Sequence, residues 1–212
     1  NDVNKNDEAS PIMEIKFNRS GIYKQKIANM AKVISEIGYD VTNRPPTIVG
    51  ICEVENRKVV EDLISDEKLK NYNYGIVHYE SPDDRGIDVG LIYNKDVFEV
   101  KNSNSHDVFI TGNNSNKRRN TRDQLVVSGL LDGELIHIIV NHWPSRGADE
   151  TKRIAAAEVN NSIIDSLRNI HNNPKIITMG DFNDDPFDKS IKKVLGAKKE
   201  IKEVGKNDLY NP

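Results

Sequence analysis

The sequence predicts an α+β fold in which mixed β-sheets are covered by helices. Two observations carry this. Apolar β-type runs alternate along the chain with segments of helical periodicity, the pattern of sheets flanked by helices. Two of those runs, 124–131 and 134–140, flank Asp132-Gly133. Asp-Gly between apolar runs is a strong hairpin signal, so antiparallel pairing enters the sheet and an all-parallel barrel is set aside.

The elements follow in order. Residues 1–19 are polar and irregular, with Pro11 among them. Ser20 to Ile37 reads as a helix, because Tyr23, Ile27, Met30, Ile34 and Ile37 recur at spacings of three and four. Gly38 suits a left-handed stop. Pro45-Pro46 resets the chain to extended, and Thr47 to Cys52 is apolar on both faces, as a central strand is. Asn56 can cap a helix whose apolar positions are Val59, Val60, Leu63 and Ile64. Tyr74 to Tyr79 is a strand, the charged loop Ser81 to Gly86 follows, and Ile87 to Tyr93 is a strand with Asp88 inside it. Residues 97–101 and 107–111 are weaker strand candidates, and 112–122 reads as an exposed loop with a basic end. Asp149 to His171 is a long helix with Ala156, Val159, Ile163, Leu167 and Ile170 on its buried face. Lys175 to Met179 is a strand, a shorter helix follows Pro186, and the tail from Lys198 is polar.

Composition narrows the function classes. The 212 residues are read as a single domain over 1–212. A net charge of −3 offers no global basic field for a polyanion. Cys52 is the sole cysteine, which excludes an intrachain disulfide framework and a cysteine-based zinc site. No apolar run approaches the roughly 18 residues of a membrane-spanning helix.

Three apolar strands end in reactive polar groups. Thr47 to Cys52 ends in Glu53, Glu134 to Val140 in Asn141 and His142, and Lys175 to Met179 in Asp181 and Asn183. In layered α/β proteins ligands collect beyond the carboxyl ends of strands. A carboxylate for a divalent cation, a second for water and an imidazole beside the phosphate are the inventory of phosphodiester hydrolysis. Each also has a plainer explanation. The Asp/Asn cluster after Gly180 can be a strand-breaking turn. Glu53 can be a surface carboxylate, with Glu55 the truer ligand, and His142 a capped loop histidine. Asp88, inside an apolar run, reads as a paired structural carboxylate, since an unpaired one is costly there. Lys117-Arg118-Arg119 reads as a solvated loop. An EF-hand is excluded: counted from Asp181, Pro186 stands where its glycine belongs and Lys192 where its bidentate glutamate belongs.

Ile51-Cys52-Glu53, Asn141-His142 and above all Gly180-Asp181-Phe182-Asn183 resemble the endonuclease/exonuclease/phosphatase superfamily, the DNase I-like fold. Arg85 to Tyr93 resembles a strand of its bacterial members, and Thr121-Arg122-Asp123 a segment with an arginine near the phosphate. The resemblance implies a two-sheet mixed β-sandwich flanked by helices and a Mg2+-dependent phosphoesterase, with Mn2+ or Ca2+ as alternatives. It implies Glu53 as metal ligand, and Asp181 as the group that orients or deprotonates the attacking water. Asn183 would hold the phosphate and the water-orienting group, His142 would act on the leaving-group side, and Arg122 would contact a substrate phosphate. The substrate would be nucleic acid or another phosphoester, with a nuclease-like phosphodiester hydrolase ahead of a small or lipid phosphoester phosphatase.

The superfamily opens with a strand bearing an asparagine near the metal and closes with Ser-Asp-His. Nothing before Ser20 resembles the first, and none of the five histidines follows an aspartate. The expectation is an incomplete DNase I-like domain. The rival is a binding or scaffold domain that keeps the fold without the chemistry.

Overall fold

The computed structural model describes residues 19–112 and 115–212. The N-terminal segment 1–18 lies outside the described residues. The chain forms two compact units, one made of the segment up to Pro46 together with Glu61–Tyr72, the other comprising Thr47–Val60 and Asn73–Pro212.

In the first unit, helix α1 (Arg19–Glu36) stops where Gly38 turns left-handed at φ 65°, and the short helix α2 (Tyr39–Thr42) follows. The expected stripe is shifted: Ala31 and Ile34 are buried, whereas Tyr23, Met30 and Ile37 are exposed. Ala31 lies three residues before Ile34, so its small side chain occupies the position that bulk alone assigned to Met30. Tyr23 instead donates its hydroxyl to Asp62 Oδ2 at 2.8 Å.

The second unit holds the sheets. Strands β1 (Ile48–Val54), β2 (Tyr74–His78) and β3 (Asp88–Asn94) form an antiparallel sheet in the order β1-β3-β2. Strands β4 (Phe98–His106), β7 (Gln124–Leu131), β8 (Glu134–His142) and β9 (Lys175–Asp181) form a mixed sheet in the order β4-β7-β8-β9. Asp132 at φ 50° and Gly133 at φ 83° make the predicted hairpin between β7 and β8. Helix α4 (Glu150–Ile170), capped by Asp149 on the Thr151 amide, is the crossover that lets β9 run parallel to β8. Helix α3 (Arg57–Ile64) begins after Asn56, whose Oδ1 accepts from the Val59 amide at 3.2 Å.

The two sheets face each other across one core: Val77, Val89 and Leu91 from one meet Phe98, Leu125, Val127, Ile138 and Val140 from the other. On the far face, Val126 and Ile139 pack against Ile163 and Ile164 of α4. This is the mixed two-sheet sandwich with flanking helices that the family resemblance implied. At Gly50 the sheets approach closely: a Cβ there would stand 3.0 Å from Met179 Cε and 3.2 Å from Val140 Cγ1.

Two segments differ from expectation. The segment read as loop after residue 112 contains β6 (Ser115–Arg119), which pairs with β5 (Ile110–Gly112). A short ladder is held by backbone hydrogen bonds and needs no apolar alternation. The helix after Pro186 is a single π-helical turn, Ser190–Val194.

Candidate active site

Strands β8 and β9 run parallel and finish level, with His142 opposite Asp181. His142 Nε2 lies 3.9 Å from Asp181 Oδ2. The imidazole is buried at 4% exposure, while the carboxylate is half-exposed. Gly180 makes this register possible: at φ 126°, its Cβ would lie 2.1 Å from the Asn141 carbonyl oxygen. Beyond it the chain turns sharply. Asn183 sits at φ 52°, its amide donates to Asp181 Oδ1 at 2.9 Å, and its Nδ2 donates to the Trp143 carbonyl at 3.0 Å. One oxygen of Asp181 is thereby fixed from behind, and the other is turned toward His142.

Glu53 arrives from the facing sheet. The β1–β3 register shifts between Cys52 and Val54, a β-bulge, and Glu53 within it adopts φ 61°. A non-glycine residue in the left-handed region costs about 1–2 kcal/mol, and bulges of this kind re-aim a side chain. The result is an exposed Glu53 between buried or half-buried neighbours. Cys52 Sγ donates to the Asn141 carbonyl at 3.3 Å, which ties the bulge to the end of β8. Burial holds the His142 imidazole below its ordinary pKa, with the Arg122 charge acting the same way; Asp181 and Glu53 oppose them. Glu53, Asp181 and Arg122 thus all bear on one imidazole, although Glu53 and Asp181 are far apart in the sequence.

A buried polar network holds the end of β8. Asn141 Oδ1 accepts from Trp143 Nε1 at 3.0 Å and from Asn160 Nδ2 at 2.9 Å. Asn141 Nδ2 donates to Thr178 Oγ1 at 2.9 Å. Asn160, fully buried on α4, also donates to Gln124 Oε1 at 3.1 Å. Asn160 was not among the predicted site residues. Its signal was a polar side chain four residues after Ala156, on the apolar face of a helix.

The acidic cluster divides by partner. Asp184 is buried, with Oδ1 2.6 Å from Arg153 Nε and Oδ2 2.6 Å from Ser190 Oγ. Asp185 pairs with Arg146 at 2.8 Å. Among these aspartates, Asp181 is the one presented beside the imidazole. Asp88 is a paired interior carboxylate: Oδ2 meets His78 Nε2 at 3.1 Å, and Oδ1 accepts from the Ser81 amide and hydroxyl at 2.8 and 2.6 Å. Its atoms come within 4.8 Å of ligating atoms of His78 and Glu80. Both Asp88 oxygens are already engaged, which makes this group a strut for the Ser81 loop. Arg122 is 6% exposed. It donates from Nε to the His142 carbonyl at 3.2 Å, from Nη2 to the Trp143 carbonyl at 2.5 Å and from Nη1 to Asp83 Oδ1 at 3.2 Å. Glu55 is exposed one residue past β1.

A family model described as "Endonuclease/Exonuclease/phosphatase family" matches residues 1–212. The chain belongs to that family. No curated protein matches it in sequence. Among solved structures it is similar to D. rerio TDP2 complexed with single strand DNA product, at 17% identity and TM-score 0.52, covering 79% of this chain and 58% of that one. It is similar to ANGEL2, a 2',3'-cyclic phosphatase, at 15% identity and TM-score 0.59, covering 79% and 46%. It is also similar to the human Nocturnin catalytic domain with bound sulfate anion, at 19% identity and TM-score 0.56, covering 80% and 63%. At these identities the likeness establishes the fold. The family member described here therefore spans roughly half of each neighbour's own length.

Proposed function

We propose that this family member is a divalent-metal-dependent phosphoesterase acting on phosphodiesters of the nucleic-acid type. The observation that carries the reading is the level finish of β8 and β9, with His142 Nε2 3.9 Å from Asp181 Oδ2. The donor set suits a hard cation: Glu53 is an exposed carboxylate on a strained bulge, and Asp181 offers an oxygen left clear by the Asn183 amide. In this reading Glu53 holds the ion, and Mg2+ fits because it keeps several waters and asks for few protein carboxylates. The ion would supply Lewis acidity at the phosphoryl oxygen.

The chain's own groups do the rest. Asp181 Oδ2 orients water and takes its proton, while Oδ1 is pinned by the Asn183 amide so that the carboxylate cannot rotate away. The Asn183 side chain, anchored on the Trp143 carbonyl, secures the turn that presents both groups to a phosphate. His142, kept neutral near pH 7 by burial and by Arg122, offers one protonated ring nitrogen as a hydrogen-bond donor on the leaving-group side. One structural neighbour is described in complex with a single strand DNA product and another as a 2',3'-cyclic phosphatase, which supports a phosphodiester over a monoester.

The test is hydrolysis of single-stranded DNA and of bis(p-nitrophenyl) phosphate with Mg2+, with and without EDTA. Turnover should vanish with chelator. Asp181→Asn should lower kcat by about 10²-fold or more, the scale of general-base effects, with a smaller change in KM. Chelator-insensitive turnover, or an unchanged kcat with altered KM, overturns the assignment.

A further inference from the structure

We propose that Arg85 is the cation that meets the substrate phosphate, and that Asp83 and Arg122 are the positioning residues that aim it. The inference rests on the phosphodiesterase reading of this site and adds a substrate contact to it.

The loop carrying Arg85 is held at two points. At its start, Ser81 gives both its amide and its hydroxyl to Asp88 Oδ1. Asp88 is fixed in turn by His78. In its middle, the Asp83 side chain is 4% exposed and works in two directions. Oδ1 takes Arg122 Nη1 at 3.2 Å, and Oδ2 takes the Arg85 amide at 3.0 Å. The Asp83 carbonyl also accepts the Gly86 amide at 2.9 Å, closing a turn in which Gly86 stands at φ 64°. Arg122 continues the chain of contacts to the carbonyls of His142 and Trp143, and Trp143 connects to Asn183. Bonded contacts therefore run from the Arg85 backbone to the candidate site.

Among the described residues, the guanidinium at the end of this chain makes only a loose ion pair with Asp83. Arg85 Nε is 3.8 Å from Asp83 Oδ2, too long for a hydrogen bond, and the side chain is 56% exposed. Arg122 is the opposite case, with its donors turned inward onto two carbonyls and a carboxylate. A buried arginine spent on main-chain carbonyls is a poor ligand for an incoming phosphate. An exposed fork on a loop anchored through Asp83 and Arg122 to the His142 carbonyl is a good one, because planar paired donors match phosphate oxygens. The Arg85 charge acts on both Arg122 and the His142 imidazole, which agrees with that placement.

The test uses two readouts on the 212-residue chain. One is hydrolysis of bis(p-nitrophenyl) phosphate with Mg2+; the other is anisotropy of a labelled single-stranded DNA dodecamer in EDTA, which needs no turnover. Arg85→Ala should raise KM and the dodecamer Kd by about ten- to a hundredfold, as removal of a charge-assisted contact does. Arg85→Lys should recover part of that loss, since charge returns without the fork. Asp83→Asn, nearly isosteric, should give an intermediate loss in both readouts while Arg85 is intact, which a purely local structural role of Arg85 would not produce. Unchanged KM and Kd in Arg85→Ala overturn the inference and leave the phosphodiesterase reading standing. Absence of wild-type hydrolysis overturns that reading instead, and the dodecamer Kd then decides Arg85 by itself.

Discussion

Asn160→Ala tests whether the buried amide network supports the site. Asn160 Nδ2 faces Asn141 Oδ1, Gln124 Oε1 and Thr178 Oγ1 at 2.9 to 3.1 Å. After truncation, Asn141 Oδ1 keeps Trp143 Nε1 and Thr178 Oγ1 keeps Asn141 Nδ2. Gln124 Oε1 loses its partner, and a buried orphan acceptor costs about 1–3 kcal/mol. Asn160 Oδ1 is itself buried without a partner among the described residues, so its removal returns part of that cost. The small cavity left behind adds to it again. The net expectation is a destabilisation of about 2 kcal/mol, or about 4–8 °C in Tm for a chain of this size. Asn160→Asp should be worse despite equal size. It replaces a donor with a carboxylate oxygen facing two amide oxygens and one hydroxyl, and the charge has no cationic partner among the network residues. Urea denaturation followed by circular dichroism measures both. A loss below about 0.5 kcal/mol for Asn160→Ala, or an Asn160→Asp variant as stable as the parent, would refute the network as drawn.

Other outcomes follow from single positions. Gly180→Ala should unpair the ends of β8 and β9, because the added Cβ meets main-chain atoms of Asn141 that cannot move aside; amide exchange at Asn141 and His142 should accelerate sharply, and protection equal to the parent's would contradict it. Glu53→Gly should be more stable than Glu53→Ala by about 1 kcal/mol, since only glycine relieves φ 61°, yet both should lack metal-dependent turnover; equal melting temperatures would deny the strain. His137 is buried and its pKa lies below the ordinary value, first through burial and then through the His171 ring. The unfolded chain therefore takes up the proton first as pH falls below about 6.5, so this histidine's contribution is intact above that pH and is lost on descending toward the folded-state value. His137→Gln should flatten the pH dependence of urea midpoints between pH 7 and 5, and an unchanged slope would count against it.

Much of the fold was legible because periodicity and turn chemistry are local. The Asp132-Gly133 hairpin, the Asn56 and Asp149 helix starts and the Gly38 stop each depend on a few adjacent residues. The strand-end positions of Glu53, His142 and Asp181 were legible for a related reason: an apolar run that stops at a reactive side chain marks where a strand leaves the core. What could not be read were facts of partnership. Nothing local separates Asp184, which is buried against Arg153, from Asp181, which is presented beside His142. Nor does sequence show that the Arg122 guanidinium faces inward while that of Arg85 faces out. Those outcomes depend on elements far apart in the chain, and pattern carries no information about them.

The backbone exceptions point the same way as the side chains. Glu53 and Asn183 take left-handed conformations at the ends of two different strands, and Gly180 takes one no side chain could share. Asn43, Asn73, Asp132 and Asn173 are also left-handed, but each belongs to a residue type that tolerates the conformation and stands in a connection between elements. Glu53 has no such excuse: a glutamate inside a strand is held there only because the surrounding ladder and the Cys52–Asn141 contact enforce it. Departures from local rules that carry no packing benefit concentrate where function requires them. That strain supports the proposed role of Glu53 as metal ligand over Glu55, which is exposed just past β1 and is not left-handed.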